Sequence, residues 1–290
     1  PGTPEFDIFI KEVAKEMNAV APVAIRFNPG VDAGGHEFTK TGRKSDKFGV
    51  SINETMRLTD KCIKSNNLNI VGLTCHIGSQ ISELKKFKEA AAQSLKLLLD
   101  VEKLGAELNF IDMGGGLGVT YVDEKTVQPH ELIKCYEEIF QGRPERLIVE
   151  PGRSISANAG ILLTKVEYKK NNFLITDAAM NDLLRPALYQ AQHDVGQVDN
   201  KNDDVKNYNI VGPICETGDF LAKDMQLSAN EGDLLALRTV GAYGFVMSSN
   251  YNSRMRSAEI LVDKDKFHLI RRREELLDLT KLEEGLHDEI

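Results

Sequence analysis

The chain has 290 residues, 41% hydrophobic and 28% charged, with a formal net charge of -8; that is enough apolar material for one large or two ordinary cores. An acidic chain without a long basic cluster excludes a nucleic-acid face, and no apolar run approaches the roughly twenty residues of a membrane span. The opening PGTPEFDIFIKEV lacks the basic and apolar regions of a signal peptide, and four scattered cysteines (Cys62, Cys75, Cys135, Cys215) without metal spacing fit a reducing cytosol and no metal site.

In chain order, Pro22 to Phe27 (PVAIRF) reads as a strand and Glu54 to Lys64 as a helix. Ile70 to Cys75 is the next strand. Ser82 to Leu104 is the clearest helix, with Leu84, Phe87, Ala91, Leu95 and Leu98 at spacings of three and four, Ser82 as its cap and Gly105 as its end. Phe110 to Met113 and Leu147 to Val149 are two more strands, with a helix over His130 to Phe140 between them. Strands alternating with helices mean βα units and a parallel sheet. Near Ser154 the pattern changes. Ile161 to Tyr168, Phe173 to Thr176, Asn209 to Val211, Leu234 to Thr239 and Glu259 to Val262 read as strands without long helices between them, hence a mostly antiparallel β domain. Val195 to Tyr208 is polar enough to be an exposed loop, and Arg271 to Ile290 is a charged tail with a short helix.

Three strand ends carry unusual residues. Ile70 to Cys75 runs into CHIGSQI, Phe110 to Met113 into GGGLG, and Leu147 to Val149 into EPGRSI. Consecutive glycines bare the backbone amides, which suits a phosphate; a tight turn with flexible glycines is the plainer alternative. The dinucleotide fingerprint fails, because Val119 stands where its third glycine belongs. Parallel βα barrels gather functional groups at the C-terminal ends of their strands. A histidine, a hydroxyl, bare amides, a carboxylate and a guanidinium at three consecutive junctions therefore point to one site.

These segments, together with RPALY (Arg185 to Tyr189), CETGDFLA (Cys215 to Ala222), GAYGFVMSSNYNSR (Gly241 to Arg254) and the stretch from Arg26 to Val50, resemble diaminopimelate decarboxylase, a pyridoxal-phosphate enzyme family of the alanine-racemase-like fold group. The resemblance implies an α/β fold: a pyridoxal-phosphate-binding (β/α)8 TIM-like barrel, partial here and ending near 157, a C-terminal antiparallel β domain over 158–275 and a charged tail over 276–290. It implies decarboxylation of meso-2,6-diaminopimelate to L-lysine and CO2 by a cytoplasmic homodimer with composite active sites. It implies that Glu150 faces the pyridine nitrogen, that His76 stacks on the ring, and that Ser79, Gly114, Gly115, Gly116, Gly152, Arg153 and Tyr243 complete the cofactor site. Arg153 and Arg185, with Tyr189 and Tyr243 nearby, would take the substrate carboxylate. Glu216 would take the distal ammonium, and Cys215 would protonate Cα.

Singly, each residue has a plainer reading: Arg185 as a surface ion-pair partner, Cys215 as a small buried hydrophobe, Glu216 as a solvated loop charge, Tyr243 as packing. His36, His130, His193, His268 and His287, and likewise Cys62, Cys75 and Cys135, are expected to be structural or on the surface. Two features depart from the family. No segment matches YAxKAN, which carries its Schiff-base lysine, and only four barrel strands precede the β domain. The chain is therefore expected to begin near the middle of the barrel and to be inactive alone. Met255, where relatives often have proline, is a smaller departure. A related decarboxylase of ornithine, arginine or carboxynorspermidine type is the alternative within this group, although such relatives carry aspartate where Glu216 stands. A non-catalytic homologue is the alternative outside it.

Overall fold

The computed structural model describes residues 4–34, 48–199 and 204–285. His36, His287, part of the segment from Arg26 to Val50 and part of the expected loop at 195–208 lie outside the described residues. The chain divides into one unit ending at Ile155 and a second beginning at Ser156.

The first unit opens with α1 (Pro4–Glu16), β1 (Ala21–Arg26), α2 (Ile52–Ile63), β2 (Leu68–Thr74) and α3 (Leu84–Lys103). It continues with β3 (Phe110–Asp112), α4 (Pro129–Ile139) and β4 (Arg146–Ile148). The strands lie in sequence order in one sheet, and every pairing is parallel. Helices α2, α3 and α4 each bury one stripe. On α3 it comprises Phe87, Ala90, Ala91, Ser94, Leu97, Leu98 and Val101, the spacing that an amphipathic helix presents to a core. On the sheet side Ile25, Ile70, Leu73 and Ile111 meet it. Ser51 caps α2 by accepting the Glu54 amide at 3.2 Å. Ser82 does not cap α3. Glu83 holds that position without a side-chain bond, because Ile81 is tied by its amide to the Gly116 carbonyl and the chain is free to turn only after it.

The α5 turn (Arg153–Ser156) leads into β5 (Leu162–Lys170), β6 (Phe173–Thr176), the five-residue α6 (Arg185–Tyr189) and β7 (Val195–Gln197). Then follow β8 (Lys206–Val211), β9 (Phe220–Leu227), β10 (Leu234–Leu237), the hairpin β11 (Glu259–Asp263) and β12 (Lys266–Arg271), and α7 (Leu276–Thr280). Six strands form a sheet of order β7-β10-β5-β6-β8-β9, antiparallel except where β6 meets β8. Val166, Leu174, Leu183, Ile210, Leu221, Leu235 and Leu237 fill its core.

The exposed loop expected over Val195 to Tyr208 is corrected at both ends, which are β7 and the start of β8. Val195 is buried and pairs with Leu237, so an apolar residue flanked by polar ones was enough to seed an edge strand.

Candidate active site

Register decides which groups meet in the first unit. Arg26 pairs with Thr74, Thr74 with Asp112, and Asp112 with Ile148. The residues that follow are therefore set side by side at the C-terminal edge of the sheet. Three backbone bonds extend the ladder: Cys75 N to Asp112 O at 2.9 Å, Met113 N to Ile148 O at 3.0 Å, and Glu150 N to Gly114 O at 2.8 Å. His76, Gly114 to Gly116 and Glu150 thus belong to one edge.

The glycines are required by neighbouring backbone. A Cβ on Gly115 would stand 2.1 Å from the Glu150 carbonyl oxygen, and one on Gly116, where φ is +99°, 2.2 Å from that of Gly78. Two of the three amides are also already engaged. Gly114 N donates to Asp112 Oδ1 at 2.8 Å, and Gly115 N to His76 Nδ1 at 3.1 Å. The expectation of three bare amides converging on a phosphate is corrected for these two: Asp112 and His76, which the turn brings back onto it, accept those protons.

That bond fixes the histidine. Nδ1 accepts, so the ring is neutral and any ring proton sits on Nε2. Burial holds the His76 pKa below the ordinary value; the Arg26 charge adds to the effect, and Asp112 opposes it. Glu150 is shifted the other way. The residue is exposed at the edge, yet partial desolvation of its carboxyl raises the pKa first; the charge of Asp112 raises it further, and Arg26 opposes. Arg153 turns back toward the same edge, donating from Nη2 to Ser79 Oγ at 3.1 Å and from Nη1 to Tyr121 Oη at 2.7 Å.

The remaining expected residues lie in the second unit. Arg185 begins α6 and is only 6% exposed. Its Nη1 lies 2.8 Å from His193 Nε2, and His193 Nδ1 lies 2.9 Å from the Arg238 carbonyl. The plain reading of Arg185 as a surface ion-pair partner is corrected by that burial. Tyr189 ends the same helix, half-buried. Cys215 is exposed, not a buried hydrophobe, and Glu216 beside it is exposed too. Their loop is braced by the buried Asp219, which accepts Met180 N at 2.7 Å and Ile214 N at 2.8 Å. Glu216 lines a cavity of about 270 Å³ with Met180, Asn181, Leu184, Ser249 and Tyr251; Arg185, next in sequence to Leu184, does not line it. Tyr243 stands in a left-handed conformation, φ 59°, and is 42% exposed.

Sequence reasoning missed Arg26, Asp112, Tyr121, His193, Asp219 and Tyr251. Asp112 was open to notice, as an acid ending a buried strand with only Met113 between it and the glycines.

Comparison with known proteins gives this arrangement a context. Residues 5–157 match the family described as pyridoxal-dependent decarboxylase, pyridoxal binding domain. Residues 119–241 match its C-terminal sheet domain. The diaminopimelate decarboxylase of Pseudomonas aeruginosa is 49% identical over 274 residues, 93% of this chain and 66% of that protein. The one from Haemophilus influenzae is 48% identical over 280 residues, 94% of this chain and 68% of that protein.

The chain belongs to the diaminopimelate decarboxylase family.

Among solved structures, the diaminopimelate decarboxylase of Helicobacter pylori complexed with L-lysine superposes with a TM-score of 0.92 at 40% identity, over 96% of this chain and 71% of that one. An arginine decarboxylase from Paramecium bursaria Chlorella virus, 17% identical with a TM-score of 0.68, shares the fold alone. The chain spans about two thirds of the length of the curated diaminopimelate decarboxylases it matches.

The strand-edge cluster of this family member fits pyridoxal phosphate. Two carboxyl groups, Asp112 and Glu150, lie side by side at this edge, and desolvation together with the charge of Asp112 makes Glu150 harder to ionise. Such a pair accommodates a cation, and a protonated pyridine nitrogen is one. Beside it stands a neutral imidazole, and the wall between them carries no side chain at Gly114 to Gly116. Among the described residues no cluster of His, Cys, Asp or Glu is placed to hold a metal. No described helix is long and apolar enough to cross a membrane.

Proposed function

We propose that the protein removes one carboxyl group from meso-2,6-diaminopimelate, giving L-lysine and CO2, with pyridoxal phosphate as its cofactor. The observation that carries this reading is the alignment of His76, Gly114 to Gly116 and Glu150 along one strand edge, in a chain 49% identical to a diaminopimelate decarboxylase.

Bound pyridoxal phosphate supplies an electron sink for the pair left behind as CO2 departs. Glu150 holds the proton on the pyridine nitrogen, and Asp112 keeps the Glu150 carboxyl turned toward that edge. His76 offers its flat neutral ring, held by the Gly115 amide. Ser79, the loop from Gly114 to Gly116, Gly152, Arg153 and Tyr243 serve the phosphate side. Arg153 and Arg185, with Tyr189, bind the substrate's carboxylates, since a guanidinium fork pairs with both carboxylate oxygens. Glu216 takes the distal ammonium. Cys215, exposed beside it, delivers the proton to Cα. The protein works in the cytoplasm as a homodimer with composite active sites.

The test is CO2 release by the full-length protein supplied with pyridoxal phosphate, measured with meso-diaminopimelate and with ornithine. Release from the first and not the second is expected. Release from ornithine alone overturns the substrate assignment.

A further inference from the structure

One segment of the second unit holds three of its left-handed residues. Tyr243, Asn252 and Ser253 have φ of 59°, 58° and 54°, the left-handed region that side chains avoid. Such residues persist only where the surroundings over-determine them, and they cluster at functional sites. The surroundings here are specific. Arg254 donates from Nε to Asn181 Oδ1 at 2.8 Å and from Nη2 to the Asp177 carbonyl at 2.6 Å. Asn250 Nδ2 donates to the Arg254 carbonyl at 3.0 Å and to Glu274 Oε2 at 2.6 Å. Ser249 N donates to the Asn181 carbonyl at 2.9 Å. This pinned turn delivers Tyr251, whose phenol donates to Glu216 Oε1.

Glu216 is mounted as firmly. Asp219 N donates back to the Glu216 carbonyl at 3.1 Å while its carboxylate holds the Ile214 and Met180 amides. Two exposed side chains thus meet across the cavity at Glu216 because their backbones are fixed, with Met180 and Leu184 as apolar walls.

We propose that Tyr251 is the positioning residue that makes Glu216 selective for a primary ammonium at the end of an aliphatic substrate. This rests on the reading of Glu216 as the distal ammonium site. The chemistry follows from the bond. A phenol has one proton, and Tyr251 gives it to Oε1, which stops rotation of the carboxylate and leaves Oε2 directed elsewhere. An ammonium has three protons, and it can reach Oε2 and the phenol oxygen together. A neutral or anionic group at the same place lacks those donors, and it leaves Oε2 without a cationic partner.

The test compares meso-diaminopimelate with 2-aminopimelate, which keeps the distal carboxylate and lacks the distal ammonium. Initial rates of CO2 release from each by the full-length, cofactor-loaded protein give KM and kcat for both compounds. Tyr251→Phe is expected to cut the preference for meso-diaminopimelate about tenfold, through a higher KM for that compound, with the 2-aminopimelate KM and both kcat values changed less than twofold. Glu216→Gln is expected to abolish the preference, and adding Tyr251→Phe to it to change nothing more. A preference unaltered by Glu216→Gln overturns the ammonium site and the role of Tyr251 with it. A preference lost in Glu216→Gln and kept in Tyr251→Phe overturns the role of Tyr251 alone. So does a Tyr251→Phe effect of the same size in the Glu216→Gln background, since that effect does not pass through the carboxylate.

Discussion

The guanidinium of Arg185 donates to His193 Nε2 at 2.8 Å, and the same imidazole donates from Nδ1 to the Arg238 carbonyl at 2.9 Å. A guanidinium only donates and a carbonyl only accepts, so the ring between them is the neutral Nδ1–H tautomer. The Arg238 carbonyl is fixed in turn, because Arg238 N donates to the Asp194 carbonyl at 2.8 Å where β7 joins β10. The sheet therefore aims a buried arginine through one histidine.

Removal of either partner should be felt in substrate binding. Arg185→Ala is expected to raise KM for meso-diaminopimelate by roughly 100-fold, about what the loss of a charge-assisted carboxylate pair produces. His193→Phe keeps the ring volume and loses the acceptor, and is expected to raise KM about tenfold with a smaller change in kcat. Steady-state kinetics on the full-length protein decides this; an unchanged KM in Arg185→Ala removes that residue from the pocket.

The glycine loop allows a sharper contrast. In Gly115→Ala the methyl group would stand 2.1 Å from a backbone oxygen that cannot rotate away. A shift of two strand ends follows, costing about 1–3 kcal/mol or more. Gly152→Ala meets nothing within 4 Å, and is expected to stay within about 0.5 kcal/mol of the parent. Chemical denaturation of the three proteins measures both.

That contrast also shows where sequence reasoning ended. The strands of the first unit were legible because each is a short apolar run closed by Gly, Pro or a polar turn, and α3 because its stripe repeats over twenty residues. The functional segments were legible as motifs at strand ends. β9 was not, since Asp224 takes a left-handed φ of 54° and breaks the alternation on which a strand is recognised. Nor was β12, whose residues are all exposed and show no buried face. Occupancy of the Gly114 and Gly115 amides was hidden as well. It depends on side chains two and thirty-nine residues away, a relation that only register creates.

Two groups at the strand edge give opposite pH dependences without cofactor. His76 has its pKa lowered, chiefly by burial. Above its ordinary value of 6.5 it is neutral folded or unfolded; below that the unfolded chain takes the proton first, so stability falls with acid. Glu150 has its pKa raised, chiefly by partial desolvation of its carboxyl. Its contribution is present below the ordinary 4.5 and is lost as pH rises through the folded value. Glu150→Gln should therefore raise the melting temperature of the cofactor-free protein at pH 7 and leave it nearly unchanged at pH 4. His76→Asn should flatten the acid decline that starts near pH 6.5. Melting scans across pH 4 to 8 check both signs.

Among the cysteines, Cys215 alone is exposed, while Cys62, Cys75 and Cys135 are buried. The Cys75 thiol, packed 3.7 Å from Ser94 Oγ, is pushed up to about 12 by that burial, and a thiol that stays protonated does not react. One equivalent of a thiol reagent is therefore expected to react quickly with the folded protein and none with Cys215→Ala. The rate should also report on Asp219. Asp219→Ala deprives the Met180 and Ile214 amides of their acceptor, at a cost of about 1–3 kcal/mol for each buried donor left unmade. The loop that carries Cys215 then loses the brace at its base. Its mean position becomes less defined, so turnover should drop further than the melting temperature alone explains. Thiol count, labelling rate, melting temperature and kcat measured on the same preparation separate the two effects: if Asp219→Ala loses stability but keeps kcat, Asp219 is a structural acid with no bearing on where the Cys215 thiol is presented.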